Sequence, residues 1–136
     1  VARMNIGNLC LLAGQPAPAL EWYASAEPVF RRVNDEMRLA LVYTNMGIAL
    51  RDAGDFARAE QSLHAGIERW ETLQAVTTLA EALGDLAQLY LLQERRDAAV
   101  SVLERALHLL SPIGEKPEVQ ELAATLRSLL DDCSSA

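Results

Sequence analysis

The side chains of this chain that could do chemistry are few, and their spacing suits none of the usual reactions. His64 and His108 lie far apart, as do Cys10 and Cys133, so no pair of them has the spacing of metal ligands. No Gly-rich phosphate loop and no nucleophile elbow occurs. We therefore expect a protein that is not an enzyme, with no catalytic residues, no metal site and no cofactor.

The overall charge of the chain limits the surfaces that it could bind. The formal net charge is −7, whereas nucleic acids and anionic membranes attract clustered Lys and Arg. We expect no direct nucleic-acid binding and no membrane association. The longest uncharged run, from Met4 to Leu20, contains Asn, Gln and Pro and is too polar to span a bilayer. With no visible signal peptide and no disulfide framework, the sequence predicts a cytoplasmic protein.

The elements that must position any functional side chain are repeated along the sequence. When the chain is shifted by 40 residues against itself, small residues fall on small ones and large residues on large ones. The matched sets include Gly7, Gly47 and Ala87; Gly14, Gly54 and Glu94; Ala19, Ala59 and Ala99; Tyr23, Leu63 and Leu103; and Cys10, Leu50 and Tyr90. This spacing predicts three helix–turn–helix repeats.

Small residues and turn residues explain how each repeat would fold. A small residue such as Gly47 allows the second helix of the repeat to approach the first closely. Gly14 and Gly54 stand where a helix C-cap takes a positive φ, and Pro16 stands where the next helix begins. Asp35 favours the start of the third helix. The predicted helices are about 1–13, 17–32, 36–53, 57–73, 79–93, 96–110 and 117–131.

Three details of this helix map come from local sequence signals. Thr78-x-x-Glu81 matches a capping box before the fifth helix. Pro28 predicts a kink or an early end of the second helix. The last helix keeps the apolar register of the repeats, but Arg127 stands at the position of Gly47, which predicts a capping helix with no second helix after it.

The domain organisation follows from the repeats. We expect a single domain over residues 1–136 that is a fragment of a larger protein. Its repeats are predicted at about 1–33, 34–73 and 74–113, with the capping helix at 117–131.

The repeated residues resemble the tetratricopeptide repeat, whose pattern is W-x2-L-G-x2-Y, then A-x3-F, then P. The chain has Met46-Gly47-x-x-Leu50 in its second repeat and Ala-x-x-x-Tyr or Ala-x-x-x-Leu in each second helix. It departs from the pattern at the opening aromatic, which survives only as Tyr43, and at the closing Pro, which is missing. The longer unit resembles an extended, 40-residue type. The resemblance implies an all-α fold: a right-handed α-solenoid of three helix–turn–helix repeats plus a C-terminal capping helix.

The resemblance also implies that the first helix of each repeat lines a concave groove for a protein or peptide segment. The candidate lining residues are Met4, Asn8, Leu11, Thr44, Asn45, Ile48, Arg51, Asp52, Glu81, Asp85, Gln88 and Leu91.

One family ligand can be tested on these residues. Some chaperone co-factors of the family hold a C-terminal carboxylate with two Asn and three cations, and Asn8 and Asn45 match the two Asn. Met4, Glu81 and Asp85 stand where the cations would be, and acidic side chains would repel a carboxylate. We therefore reject this ligand for the chain.

The composition and the repeat length are similar to those of the helical sensor arrays in bacterial ATP-dependent transcription regulators. This resemblance implies a sensor or scaffold module of a bacterial signalling or transcription-regulator protein. Two alternatives remain open: self-association into an oligomer, and a helical domain that senses a small molecule.

Overall fold

A computed structural model describes residues 2–134 of the chain, and in this range it contains α-helices, one short 3₁₀-helix and no strand. The all-α prediction is confirmed, and most helix ends lie within a few residues of those expected. The helices are α1 (Ala2–Leu12), α2 (Pro16–Arg32), α3 (Glu36–Asp52), α4 (Phe56–Thr72), α5 (Val76–Leu92), α6 (Arg96–Leu110), the 3₁₀-helix Ser111–Ile113, and α7 (Pro117–Ser134).

The five turns from α1 to α6 share one backbone conformation, whereas the 3₁₀-helix Ser111–Ile113 lies between α6 and α7. The second residue after each of the first five helices has a positive φ: at Gly14 and Gly54 it is 73° and 86°, as their predicted C-cap role requires. The amide of Gly54 donates to Arg51 O and that of Asp55 to Leu50 O, at 3.0 and 2.9 Å. These two bonds form a Schellman motif, which satisfies carbonyls at the end of α3.

The same left-handed conformation also occurs where the chain has no glycine. Asn34, Gln74 and Glu94 have φ of 55°, 56° and 58°. The five left-handed residues therefore stand at positions 14, 34, 54, 74 and 94, and helices α2 to α6 begin at 16, 36, 56, 76 and 96. Up to α6, the interval between turns is therefore half as long as the 40-residue interval of the sequence, because these five turns have the same form.

The helix starts confirm some local signals and correct others. α2 begins at Pro16, and the side chain of Asp35 accepts a hydrogen bond from the amide of Arg38 as an N-cap. The predicted capping box at Thr78 is wrong, because α5 begins at Val76 and Thr78 lies inside it. The early end predicted at Pro28 is also wrong, since α2 continues to Arg32.

The contacts between Cα atoms divide the chain into two compact units, one up to Leu73 and one from Gln74. In the first unit α1 packs on α2, α2 on α3, and α3 on α4. Its core includes Tyr23, Phe30, Leu39 and Val42. The predicted close approach is confirmed: a β-carbon added at Gly7 would lie 2.8 Å from Tyr23 Cε1.

A polar layer joins α2, α3 and α4 within the first unit. The Tyr43 hydroxyl donates to Glu27 Oε1 at 2.7 Å and accepts from the Arg31 guanidinium at 2.9 Å. The guanidinium of Arg69 lies 4.7 Å from the centroid of the Tyr43 ring, and its Nε lies 3.3 Å from Glu36 Oε2. The opening aromatic of the repeat pattern thus has a packing role here.

The second unit is built from α5, α6 and α7, and α7 packs against both of the other helices. The buried residues of α7 are Val119, Ala123, Leu126 and Cys133. A β-carbon added at Gly84 of α5 would lie 2.9 Å from Leu126 Cδ2, so these two helices approach closely. Arg127 lies on the exposed side of α7.

Candidate functional site

The twelve candidate groove residues all lie on the first helices of the predicted repeats. In the first unit, α1 carries Met4, Asn8 and Leu11, and α3 carries Thr44, Asn45, Ile48, Arg51 and Asp52. In the second unit, α5 carries Glu81, Asp85, Gln88 and Leu91.

Two of the candidates, Asn8 and Asn45, come together across the α1–α3 contact. Asn8 Oδ1 accepts a hydrogen bond from Asn45 Nδ2 at 3.0 Å and another from the Tyr23 hydroxyl at 2.5 Å. Both asparagines are half-buried. Within residues 2–134 the structure gives neither amide a further hydrogen bond, so Asn8 Nδ2 can still donate and Asn45 Oδ1 can still accept.

Tyr23 fixes the orientation of this amide pair. Its side chain is fully buried between α1 and the rest of the first-unit core. Burial, with a smaller contribution from Cys10, raises the pKa of Tyr23 to about 12. The phenol is therefore protonated at neutral pH and donates to Asn8 Oδ1, which leaves the Asn8 amino group as the donor that points away from Tyr23.

Two of the twelve candidates are core residues. Met4 is buried in the first-unit core. Thr44 is also buried: its hydroxyl donates to Ala40 O at 2.8 Å and accepts from Trp70 Nε1 at 3.1 Å. Because both side chains are covered, we correct their assignment from groove lining to packing.

The remaining candidates of the first unit are Leu11 on α1 and three residues that follow Asn45 on α3: Ile48, Arg51 and Asp52. Ile48 is half-buried, as is Leu11 on α1. Arg51 Nε lies 3.3 Å from Oδ1 of its neighbour Asp52, whose side chain is exposed. The α1–α3 surface of the first unit therefore combines an oriented amide pair with apolar side chains and a pair of opposite charges.

Three of the four α5 candidates border a cleft inside the second unit. Glu81, Asp85 and Gln88 line a space of about 240 Å³ between α5 and α7, and Leu91 lies outside it. The opposite wall comes from α7 and is mostly apolar, with Leu122, Thr125, Leu126 and Leu129. This wall was not predicted from the sequence, although the 40-residue register of α7 placed Leu126 and Leu129 on Leu86 and Leu89.

The histidines and cysteines form no site in the part of the chain that is described. No group of three or more His, Cys, Asp or Glu side chains between residues 2 and 134 is placed to hold a metal ion. His64 and His108 are both exposed, and His64 Nε2 lies 3.6 Å from Glu60 Oε2. Cys10 and Cys133 are free thiols. None of the described helices is long and apolar enough to cross a membrane.

The likeness to known proteins lies in the fold and in the repeat. A search of curated protein sequences found no match. Among solved structures, the chain is similar to the N-terminal domain of stress-induced protein-1 (STI-1) from C. elegans, with 18% identity and a TM-score of 0.65 over 93% of this chain and 92% of that one. It is also similar to BtubC (BKLC) from P. vanneervenii, with 18% identity and a TM-score of 0.71 over 97% of this chain and 60% of that one.

The sequence itself matches a profile of the tetratricopeptide repeat over residues 38–110, which is more than half of the chain. This repeat generally mediates protein–protein interaction and is typically a non-catalytic scaffold. The helix pairs, the close contacts at Gly7 and Gly47 and the Ala-x-x-x-Leu stripe of α4 agree with that match. The chain belongs to the tetratricopeptide repeat family.

Proposed function

We propose that this chain is a binding module that holds a segment of a protein partner in an extended or helical form, and that it catalyses no reaction. The α1–α3 surface of the first unit binds the main chain of that segment. Asn8 and Asn45 are the central contacts, and Leu11, Ile48, Arg51 and Asp52 surround them. In the second unit, Glu81, Asp85 and Gln88 offer a further contact in the α5–α7 cleft.

The observation that carries this proposal is that Asn8 Oδ1 accepts two hydrogen bonds, one from the Tyr23 hydroxyl and one from Asn45 Nδ2. Tyr23 and Asn45 hold the Asn8 amide in one orientation, so its remaining donor and the remaining acceptor of Asn45 are fixed before any partner arrives. A peptide group has one donor and one acceptor, which such a pair can satisfy together. Because the side chains are already ordered, binding loses little conformational entropy.

The charges in the second unit indicate which partners fit. The α5–α7 cleft is lined by the carboxylates Glu81 and Asp85 and by no Lys or Arg. A partner with a neutral or basic segment would fit this cleft, whereas a carboxylate tail would be repelled. This supports the rejection of the carboxylate-clamp ligand.

We further propose that the module is the sensor or scaffold portion of a cytoplasmic bacterial signalling or transcription-regulator protein. Support comes from the helix starts at 16, 56 and 96, which follow the 40-residue interval of the extended repeat type. The coding sequence on either side of this chain tests whether it belongs to such a regulator. A P-loop upstream or a helix-turn-helix downstream would support the regulator, whereas further repeats alone would make the protein a scaffold.

Peptide selection followed by NMR mapping tests the binding surface. Peptides would be selected on the full chain and titrated into ¹⁵N-labelled protein. We expect the side-chain amide signals of Asn8 and Asn45 to shift on binding, while that of Asn5, an exposed residue on the same helix, stays in place. If the Asn8 and Asn45 signals do not move while others do, the ligand binds elsewhere and the proposed surface is wrong.

Self-association is a second candidate function, and one surface favours it. On α1, Ile6, Leu9 and Leu12 are 38%, 66% and 86% exposed. Arg3 is the only charged residue of this helix, so two copies could pair their apolar faces with little charge repulsion. Light scattering after size exclusion tests this candidate: Leu9→Glu should dissociate a dimer and the exposed-site control Leu92→Glu should not. A wild-type monomer over a wide concentration range would refute it.

A further inference from the structure

A second cleft lies in the second unit, away from the α5–α7 cleft. It is bordered by α6, the 3₁₀-helix and α7 and has a volume of about 450 Å³. Clefts of this size are within the range of sites for small molecules. Its lining residues are Leu107, His108, Leu110, Ser111, Gly114, Val119, Gln120, Ala123 and Arg127.

Arg127, which lines this cleft, occupies a distinctive position of the repeat. In the 40-residue register, Arg127 stands where the second repeat has Gly47. Gly47 lies directly against Leu63 of α4, so that position normally receives the second helix of a repeat. Within residues 2–134 no helix covers Arg127, whose side chain is exposed at the cleft.

The charge of the cleft differs from that of the unit around it. Asp and Glu outnumber Lys and Arg between Gln74 and the end of the chain, yet no carboxylate lines this cleft. No carboxylate of the described residues lies within ion-pair distance of Arg127. The cleft therefore combines an apolar floor with a guanidinium, a glutamine amide from Gln120 and the imidazole of His108.

From this combination we infer that the α6–α7 cleft binds a small amphipathic carboxylate, a molecule with one carboxylate on an apolar body. The Arg127 guanidinium holds the carboxylate through paired N–H···O bonds. Gln120 Nε2 donates a further hydrogen bond, and the apolar body lies against the half-buried Leu107, with the buried Val119 and Ala123 behind it. This site is separate from the α1–α3 surface, so it adds a small-molecule ligand to a protein-binding module.

Octanoate is a suitable probe, and octan-1-ol is the matched uncharged probe. In a titration of the ¹⁵N-labelled full chain, octanoate should shift the signals of Leu107 to Ser111 and of Val119 to Arg127. Arg127→Gln should weaken octanoate binding at least fivefold. Arg127→Lys should bind more weakly than the wild type but more tightly than Arg127→Gln, because lysine keeps the charge but not the paired N–H···O bonds. Arg96→Gln, at the other end of α6, is the control and should bind octanoate as the wild type does.

Each contrary outcome overturns the inference. Octanol binding as tightly as octanoate would show that the carboxylate has no role. Undiminished binding to a folded Arg127→Gln variant, or shifts confined to other residues, would place the ligand elsewhere. If a peptide with a free C-terminal carboxylate displaces octanoate while its amidated form does not, and binds more tightly, the ligand is a protein terminus and not a small molecule.

Discussion

Gly47 lies so close to Leu63 that a β-carbon added at the glycine would stand 2.5 Å from Leu63 Cγ. The contact sets the distance between α3 and α4, on which the packing of the second repeat depends. The equivalent contact in the first repeat joins Gly7 to Tyr23, and Tyr23 in turn orients Asn8. Packing inside the repeats is therefore linked directly to the surface proposed to bind a partner.

A larger side chain at Gly47 should overpack this contact. Gly47→Leu is expected to destabilise the protein by about 1–3 kcal/mol, because α3 and α4 must move apart or the new side chain must take a strained rotamer. Urea unfolding measures the change. Ala57→Leu, at an exposed position of α4, is the control and should have little effect. Equal stabilities for the two variants would contradict the close contact.

The left-handed turn residues lead to two predictions. Introducing a glycine at a turn that has none should stabilise the protein, and replacing the glycine of another turn should destabilise it. Glu94 has φ of 58° and is exposed, so Glu94→Gly should stabilise by about 0.5–1 kcal/mol by removing the steric cost of its β-carbon. Gly54→Ala should destabilise by a similar amount, although nothing lies within 4 Å of the added carbon.

Thermal unfolding of both variants measures these changes. Glu104→Gly, inside α6, is the control for a glycine in a helix and should destabilise by about 1 kcal/mol. Destabilisation by Glu94→Gly as large as that of Glu104→Gly would mean that the turn conformation is wrong.

The buried pair Thr44 and Trp70 predicts a polar contribution to stability. Thr44→Val keeps the shape of the side chain but removes the hydroxyl that accepts from Trp70 Nε1. Leaving that buried donor without a partner should cost about 1–3 kcal/mol. Thr72→Val, which loses an exposed hydroxyl on α4, is the matched control. A Thr44→Val variant as stable as its control would show that Trp70 finds another acceptor.

Asp35, the N-cap residue of α3, predicts that the stability of the protein depends on pH. Hydrogen bonds from the side chain and the amide of Arg38 lower the pKa of Asp35. A carboxylate with a lowered pKa stabilises the fold above its unfolded pKa, and that contribution is lost as the pH falls through the lowered value. Asp35→Asn should therefore reduce stability at pH 7 and make less difference in strong acid. Melting curves of the wild type and Asp35→Asn at both pH values check this, with Asp131→Asn, at an exposed position, as the control. A stability difference between wild type and Asp35→Asn that grows in acid would contradict the prediction.

The sequence predicted the helices better than it predicted the turns between them. The start of α5 was missed because Val76, Thr77 and Thr78 are β-branched and weak helix formers, and because Thr78 and Glu81 happen to match a capping box. The structure starts the helix at Val76, after the left-handed turn at Gln74. No residue type at position 74 signals that conformation, and only the regular interval between the turns could have indicated it.

The candidate surface was also predicted in part. The 40-residue register placed Asn8 and Asn45 on equivalent helices, and the structure brings them into hydrogen-bonding contact. The register described Tyr23 only as an apolar core residue, so the bond from its hydroxyl was missed. Thr44 was wrongly predicted to line the groove because its side chain is polar. In the structure its hydroxyl is hydrogen-bonded to Ala40 O and Trp70 Nε1 inside the core.

Calorimetric titration of one selected peptide against three asparagine variants tests the central claim most directly. We expect Asn8→Ala and Asn45→Ala each to weaken binding about tenfold, the loss of roughly 1.4 kcal/mol, while the exposed-site control Asn5→Ala binds as the wild type does. All variants must retain the wild-type helical content. If the peptide binds Asn8→Ala and Asn45→Ala as tightly as Asn5→Ala, the oriented amide pair is not the binding surface of this chain.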